Sequence, residues 1–73
     1  MGRLNGISGR RAIKALKRAG FEVAGGEGSH LVLKKPGLPI LVIPLHREVS
    51  PFLLRSQIKR AGLTEGEFLD LLR

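Results

Sequence analysis

An apolar run of eight residues, 38–45, constrains the fold most, because it directly follows the Pro-Gly turn signal of residues 36 and 37. The run is far too short to span a bilayer and predicts a β-strand that is apolar on both faces. Such a strand is typical of a sheet covered on both sides. The side that carries Ile40 and Val42 is therefore either a docking surface for a partner or ordinary small-protein surface.

Two further strands are predicted before this run. Residues 21–24 alternate apolar and polar side chains, and residues 29–35 form the strand that precedes the Pro-Gly turn. The glycine-rich residues 25–28 between them predict a flexible turn. In the strand 29–35, alternation places Ser29 on the helix-facing side and His30 on the open side.

Helices are predicted on both flanks of the strands. Ser8 is a suitable N-cap for a helix over residues 9–19, and Ser50 with a following proline begins a second helix that Gly62 closes. Thr64 and Glu67 form a capping box that opens a short final helix. The sequence thus predicts an α+β class, with an α-β-β-β-α order, the helices on one face of a three-stranded antiparallel sheet, and a short C-terminal helix.

Length and cysteine content limit how such a chain is stabilised. Residues 1–73 are expected to form a single domain, and with no cysteine its stability must come from an apolar core or from a partner. The absence of cysteine fits a reducing cytosol, so a cytoplasmic location is expected. The N-terminal residues show no apolar run of the kind that marks a secretory signal, and no membrane segment is expected.

The charge distribution predicts a polyanionic partner. The net charge is +7, and residues 1–20 contain six basic residues and no acidic one. Nucleic acid is the first expectation, with an acidic membrane or protein second. The first helix places several cations on one face, which is either a solvated face or a phosphate-contacting surface. Its candidate phosphate contacts, together with one lysine of the second strand, are Arg10, Arg11, Lys14, Lys17 and Lys34.

His30 is the main candidate for a chemical residue, because it opens an apolar strand directly after Gly28-Ser29. Histidine can donate or accept a proton near neutral pH. RNA carries its own nucleophile, the 2′-hydroxyl, so a protein needs only to move protons and stabilise the phosphorane. By itself a lone histidine is more often a structural residue, and a plain surface role stays open.

The other candidates are weaker. His46 is interpreted as a structural residue or a secondary RNA contact. A metal site made of His30 and His46 lacks further ligands at any usual spacing. No metal or other cofactor is therefore expected. Ser29 is interpreted as a turn or strand-start residue rather than a nucleophile. With no Trp or Tyr and only three Phe, recognition of RNA is expected to depend on phosphates and shape.

Several segments together resemble the HicA family, the RNA-cleaving toxins of toxin–antitoxin pairs. They are Ser8-Gly9 at the start of the first helix, its end at residues 16–21, Gly28-Ser29-His30, residues 42–46, and residues 54–63 with the acidic final helix. Family members commonly have Lys-Pro-Gly-Thr or a similar segment before the Leu-Arg-Ser segment, whereas this chain has Ser50-Pro51-Phe52-Leu53.

The resemblance implies a fold like that of a double-stranded-RNA-binding domain. It also implies a metal-independent endoribonuclease that cleaves messenger RNA and blocks translation, with His30 catalytic. Ser29 and His46 are further candidate RNA contacts. A HicB-type antitoxin that covers the active site is the implied partner. The alternatives are a non-catalytic RNA-binding module of the same fold and a subunit whose basic surface binds an acidic protein.

Overall fold

The computed structural model describes residues 3–73. Met1 and Gly2, which belong to the N-terminal stretch inspected for a secretory signal, lie outside the described residues. The elements follow the predicted order of helix, three strands, helix and short helix, and the α+β class is confirmed. They are α1 Gly9–Arg18, β1 Glu22–Glu27, β2 His30–Lys34, β3 Leu41–Pro44, α2 Pro51–Arg60 and α3 Glu65–Leu71.

The first helix begins and ends close to its predicted limits because of its capping residues. The Ser8 hydroxyl accepts a hydrogen bond from the Arg11 amide at 3.2 Å, which satisfies one free amide of the first turn. The helix ends at Arg18, one residue earlier than predicted. Gly20 then takes a φ of +101°, which glycine adopts at little cost.

The prediction of a turn over residues 25–28 is wrong. The strand β1 continues to Glu27, and only Gly28 and Ser29 connect it to β2. Gly28 has a φ of +62° and occupies the first central position of this two-residue turn, where a hairpin favours glycine. The glycine-rich composition misled the prediction because Gly25 lies next to an irregularity in the strand register, a second position at which glycine is common.

The three strands form one antiparallel sheet in the order β1-β2-β3. The strand β3 is shorter than the predicted residues 38–45. The turn residues continue to Leu38, whose amide donates to the Lys35 carbonyl, and Pro39 has no amide for a sheet hydrogen bond.

The core lies between the helices and one face of the sheet. Leu33, Leu41 and Ile43 are fully buried on that face, whereas Val42 on the opposite face is exposed. The apolar run 38–45 is therefore not covered on both sides, although such a run is typical of a strand that is. The buried core consists of Leu4, Ile7, Ala12, Ile13, Ala15, Leu16, Phe21, Leu33, Leu41, Ile43, Val49, Leu54, Ile58, Ala61 and Phe68.

The helix α2 covers the free edge of β3. The Gln57 side-chain oxygen accepts a hydrogen bond from the Val42 amide at 3.1 Å, and the Arg60 guanidinium donates to the Ile40 carbonyl at 2.9 Å. These bonds satisfy backbone groups that an edge strand otherwise leaves open. They also show that α2 runs antiparallel to β3, so its first turn lies toward the Pro44 end of that strand.

The short helix α3 closes the fold against α1. The Thr64 hydroxyl and the Glu67 carboxylate each accept a hydrogen bond from the other residue's amide, which confirms the predicted capping box. The Arg18 guanidinium of α1 donates to the carbonyls of Leu71 and Arg73, both at 2.6 Å. Across residues 3–73, no helix has the length and apolar character needed to cross a bilayer.

Candidate functional site

His30 is the first residue of β2, and its side chain is exposed. In the sheet register it lies between Glu27 of β1 and Pro44 of β3. Its backbone is tightly packed, because a β-carbon at Gly26 would overlap the His30 carbonyl oxygen. The imidazole therefore projects from a backbone that neighbouring strands hold on both sides.

The open face of the sheet forms a shallow groove that includes His30. Alternation along β2 correctly placed Val32 and Lys34 on this face with the imidazole, and Ile40 and Val42 line the same groove. Ile40 is 47% exposed and Val42 is 37% exposed, so the groove has an apolar floor beside the histidine. Glu27 also lines the groove, so a carboxylate lies on the same face as His30.

His46 lies beside His30. The two ring centroids are 6.2 Å apart and the ring planes cross at 71°. The loop after β3 brings them together, since the Leu45 amide bonds to the Ser29 carbonyl and the Gly9 amide bonds to the His46 carbonyl. The proximity of the two histidines was not predicted from the sequence. One signal in the sequence could have predicted this proximity. His30 begins the second predicted strand and His46 follows the third, and consecutive antiparallel strands place these two positions at the same end of the sheet.

The first turns of both long helices lie at the end of the molecule that carries the histidines. The α1 helix starts at Gly9, which bonds to His46, and α2 starts beside the Pro44 end of β3. Neither first turn contains an acidic residue. Helix N-termini carry partial positive charge, so this end of the molecule favours an anion.

The predicted phosphate contacts divide between two surfaces. Those of α1 line a second groove together with Leu31 and Leu45, whereas Lys34 lies on the open face with His30. The α1 cations are thus on the helix side of the sheet. Arg10 and Arg11 belong to the first turn, so they lie at the helix end that contacts His46. The four α1 cations of this groove are Arg10, Arg11, Lys14 and Lys17.

Other cations form hydrogen bonds or ion pairs with groups of the protein itself. Lys35 donates to the Ala19 carbonyl at 2.7 Å, and Arg55 forms a 3.2 Å ion pair with Glu65. Arg60 is bound to a carbonyl of the β3 edge, as described above. Two of the three basic side chains of α2, Arg55 and Arg60, are therefore occupied by contacts within the protein.

Ser29 is a turn residue, in agreement with its interpretation as a turn or strand-start residue. Because it lies in the hairpin turn rather than in the strand, strand alternation does not define its side. Phe52, in the first turn of α2, is 80% exposed, while the other two phenylalanines are core residues. The segment that replaces the family's Gly-Thr thus presents an aromatic ring to solvent. Among residues 3–73, no three His, Cys, Asp or Glu side chains cluster closely enough to hold a metal ion.

The element order, with the helices on one face of a three-stranded antiparallel sheet, defines a small α+β domain whose fold is like that of a double-stranded-RNA-binding domain. In a comparison with protein families, the model described as the HicA toxin of bacterial toxin–antitoxin systems matches residues 9–63. This is most of the chain, and the protein belongs to the HicA toxin family. Comparison with curated proteins gives no match.

Proposed function

We propose that this protein is a metal-independent endoribonuclease that cleaves messenger RNA and so blocks translation, with His30 as a general acid or base. The observation that carries the proposal is the position of His30. It is exposed at the start of β2, on a backbone held by both neighbouring strands, at the end where two helices begin. Membership of a toxin family supports the same conclusion.

The surroundings of His30 suit a phosphodiester substrate. The 2′-hydroxyl of RNA attacks the adjacent phosphorus, so catalysis requires proton transfer and stabilisation of negative charge. Arg10 and Arg11 in the first turn of α1, together with the helix N-termini, provide positive charge at the end of the molecule that carries the histidines. Ser29, in the turn that precedes His30, and Lys34, on the open face, are the remaining proposed RNA contacts from the hairpin.

A HicB-type antitoxin is the partner proposed for this toxin. An inhibitor that covers His30 has an apolar surface available to it, because Ile40 and Val42 are exposed in the groove that His30 lines. Apolar surface of this kind, rimmed by charge, is common at protein interfaces. The antitoxin would thereby block RNA access and bury side chains that the isolated toxin leaves exposed.

The proposed nuclease activity is tested with purified wild type and His30→Ala on a labelled messenger RNA in EDTA. Wild type is expected to cleave, and the variant to cleave about 10²- to 10⁴-fold more slowly with nearly unchanged RNA affinity. RNA binding without cleavage by either protein would instead identify a non-catalytic RNA-binding module. Equal cleavage by both proteins would remove His30 from the mechanism.

A further inference from the structure

His30 and His46 project from backbone segments that are both held by hydrogen bonds. His30 is the first residue of β2, and the His46 carbonyl accepts the 2.9 Å hydrogen bond from the first amide of α1. Both imidazoles are exposed, with 6.2 Å between ring centroids. Two hydrogen bonds of about 2.8 Å to different oxygens of one phosphate group fit between rings at this spacing.

Cleavage of RNA by its own 2′-hydroxyl involves two proton transfers at different oxygens. A base removes the proton from the attacking 2′-oxygen, and an acid supplies a proton to the departing 5′-oxygen. Because these oxygens lie on opposite sides of phosphorus during in-line displacement, one imidazole is poorly placed to serve both in a single step. A second group that can transfer a proton is therefore expected near His30.

We propose that His46 is a second catalytic residue and forms an acid–base pair with His30. This inference rests on the proposed nuclease function. In the step, the bond between the 2′-oxygen and phosphorus forms while the bond between phosphorus and the 5′-oxygen breaks. The neutral imidazole takes the 2′-hydroxyl proton and the imidazolium gives its proton to the 5′-oxygen. The products are a 2′,3′-cyclic phosphate and a 5′-hydroxyl, with no water or redox partner consumed.

The charged groups around the pair favour a bound phosphate. Glu27 opposes His30 in the register, and Glu48 is already bound to the Gly6 amide at 3.1 Å. The charged side chains at this end, from β1, α1 and the loop after β3, are Glu27, Arg10, Arg11, Arg47 and Glu48. Lys34 lies at the far end of β2, opposite Glu22. Cations outnumber carboxylates in this set, as a site for a polyanion requires.

An acid–base pair gives a distinctive pH dependence. One imidazole must be neutral and the other protonated, so the cleavage rate passes through a maximum and falls on both sides. Replacing either histidine removes one of the two limbs of this profile. A purely structural role for His46 would lower the rate without changing the shape of the profile.

The experiment compares two substrates for wild type, His30→Ala, His46→Ala and His46→Gln, with Ser56→Ala as control because Ser56 is exposed on α2. One substrate is a labelled RNA, and the other is a ribonucleoside 3′-(4-nitrophenyl phosphate), whose leaving group needs no proton. Circular dichroism checks folding. On RNA, each histidine variant is expected to lose about 10²- to 10⁴-fold in rate. The nitrophenyl substrate should rescue one histidine position, the acid, and leave the other defective.

Two results would overturn the pair. One is cleavage of RNA by folded His46→Ala within about threefold of wild type. The other is rescue of neither histidine position by the nitrophenyl substrate, together with an unchanged pH profile in His46→Ala. A different result would reject the proposed nuclease function itself: wild type would not cleave RNA, or His30→Ala would cleave it as well as wild type. A defect in His30→Ala alone would reject only the role of His46.

Discussion

The backbone amide of Gly9 donates a 2.9 Å hydrogen bond to the His46 carbonyl, at the point where α1 begins. The two segments approach so closely that a β-carbon at Gly9 would overlap the carbonyl oxygen of Pro44. Glycine is needed here for space rather than for backbone freedom, since its φ is not positive. This contact attaches the start of α1 to the loop that carries His46.

Replacing Gly9 by alanine is therefore expected to destabilise the protein. Alanine normally stabilises a helix by about 1 kcal/mol relative to glycine. At Gly9 the overlap with Pro44 forces the helix and strand apart, and overpacking of this kind costs about 1–3 kcal/mol. Urea unfolding followed by circular dichroism measures the difference.

Gly66→Ala is the matched control, because Gly66 lies in α3 and its added β-carbon would meet only the Thr64 hydroxyl, at 3.9 Å. This substitution is expected to stabilise the protein by about 0.4–1 kcal/mol. Equal shifts of the same sign in both variants would contradict the close approach at Gly9.

A second glycine prediction concerns the position of His30. A β-carbon at Gly26 would overlap the His30 carbonyl and the Leu31 side chain, so Gly26→Ala must displace the start of β2. A displacement near 1 Å lowers catalysis by about 10²-fold when geometry matters. We expect reduced RNA cleavage at a temperature where the variant is still folded. If folded Gly26→Ala cleaved RNA at the wild-type rate, the exact position of His30 would not be critical for cleavage.

Local signals allowed the element order to be predicted. The side-chain caps at Ser8, Ser50 and Thr64 lie where the helices begin, because each satisfies amides within its own first turn. Alternation along β2 likewise placed His30 and Lys34 on the open face. These features depend only on residues that are close in the sequence, so they can be predicted from the sequence alone.

Long-range contacts explain what the sequence did not predict. The proximity of His46 to His30 depends on the β2–β3 register and on the Gly9 hydrogen bond, which join distant parts of the chain. The internal use of Arg18 and Arg60 likewise depends on how the helices pack. Composition also could not separate exposed Phe52 from its buried counterparts, because aromatic residues occur in both settings.

The phenylalanines give a direct prediction about stability. Phe68 is fully buried between the helices, so Phe68→Ala is expected to cost about 3–5 kcal/mol. Phe52→Ala removes the same side chain from an exposed position and should change the free energy of unfolding by less than about 0.5 kcal/mol. Thermal and urea unfolding of both variants test this. A large loss in Phe52→Ala would mean that its ring packs against the domain.

Adjacent cations on α1 are expected to separate RNA binding from folding. Lys17 lines the cationic groove, whereas the Arg18 guanidinium donates to the Leu71 and Arg73 carbonyls. Lys17→Gln and Arg18→Gln each remove one positive charge from neighbouring positions, so a general effect of net charge is the same in both. The pair therefore isolates the local role of each side chain.

Lys17→Gln should weaken RNA binding, reduce the slope of log K against log salt by about 0.7, and leave stability within about 0.5 kcal/mol of wild type. Arg18→Gln should do the reverse, costing about 0.5–1.5 kcal/mol of stability because it loses two hydrogen bonds at an exposed site. Its RNA affinity should stay within about twofold of wild type. Salt titrations of RNA binding and urea unfolding, made on the same preparations, measure both quantities. Equal losses of affinity in the two variants would show that RNA responds to total charge rather than to the groove, and the α1 phosphate contacts would be rejected.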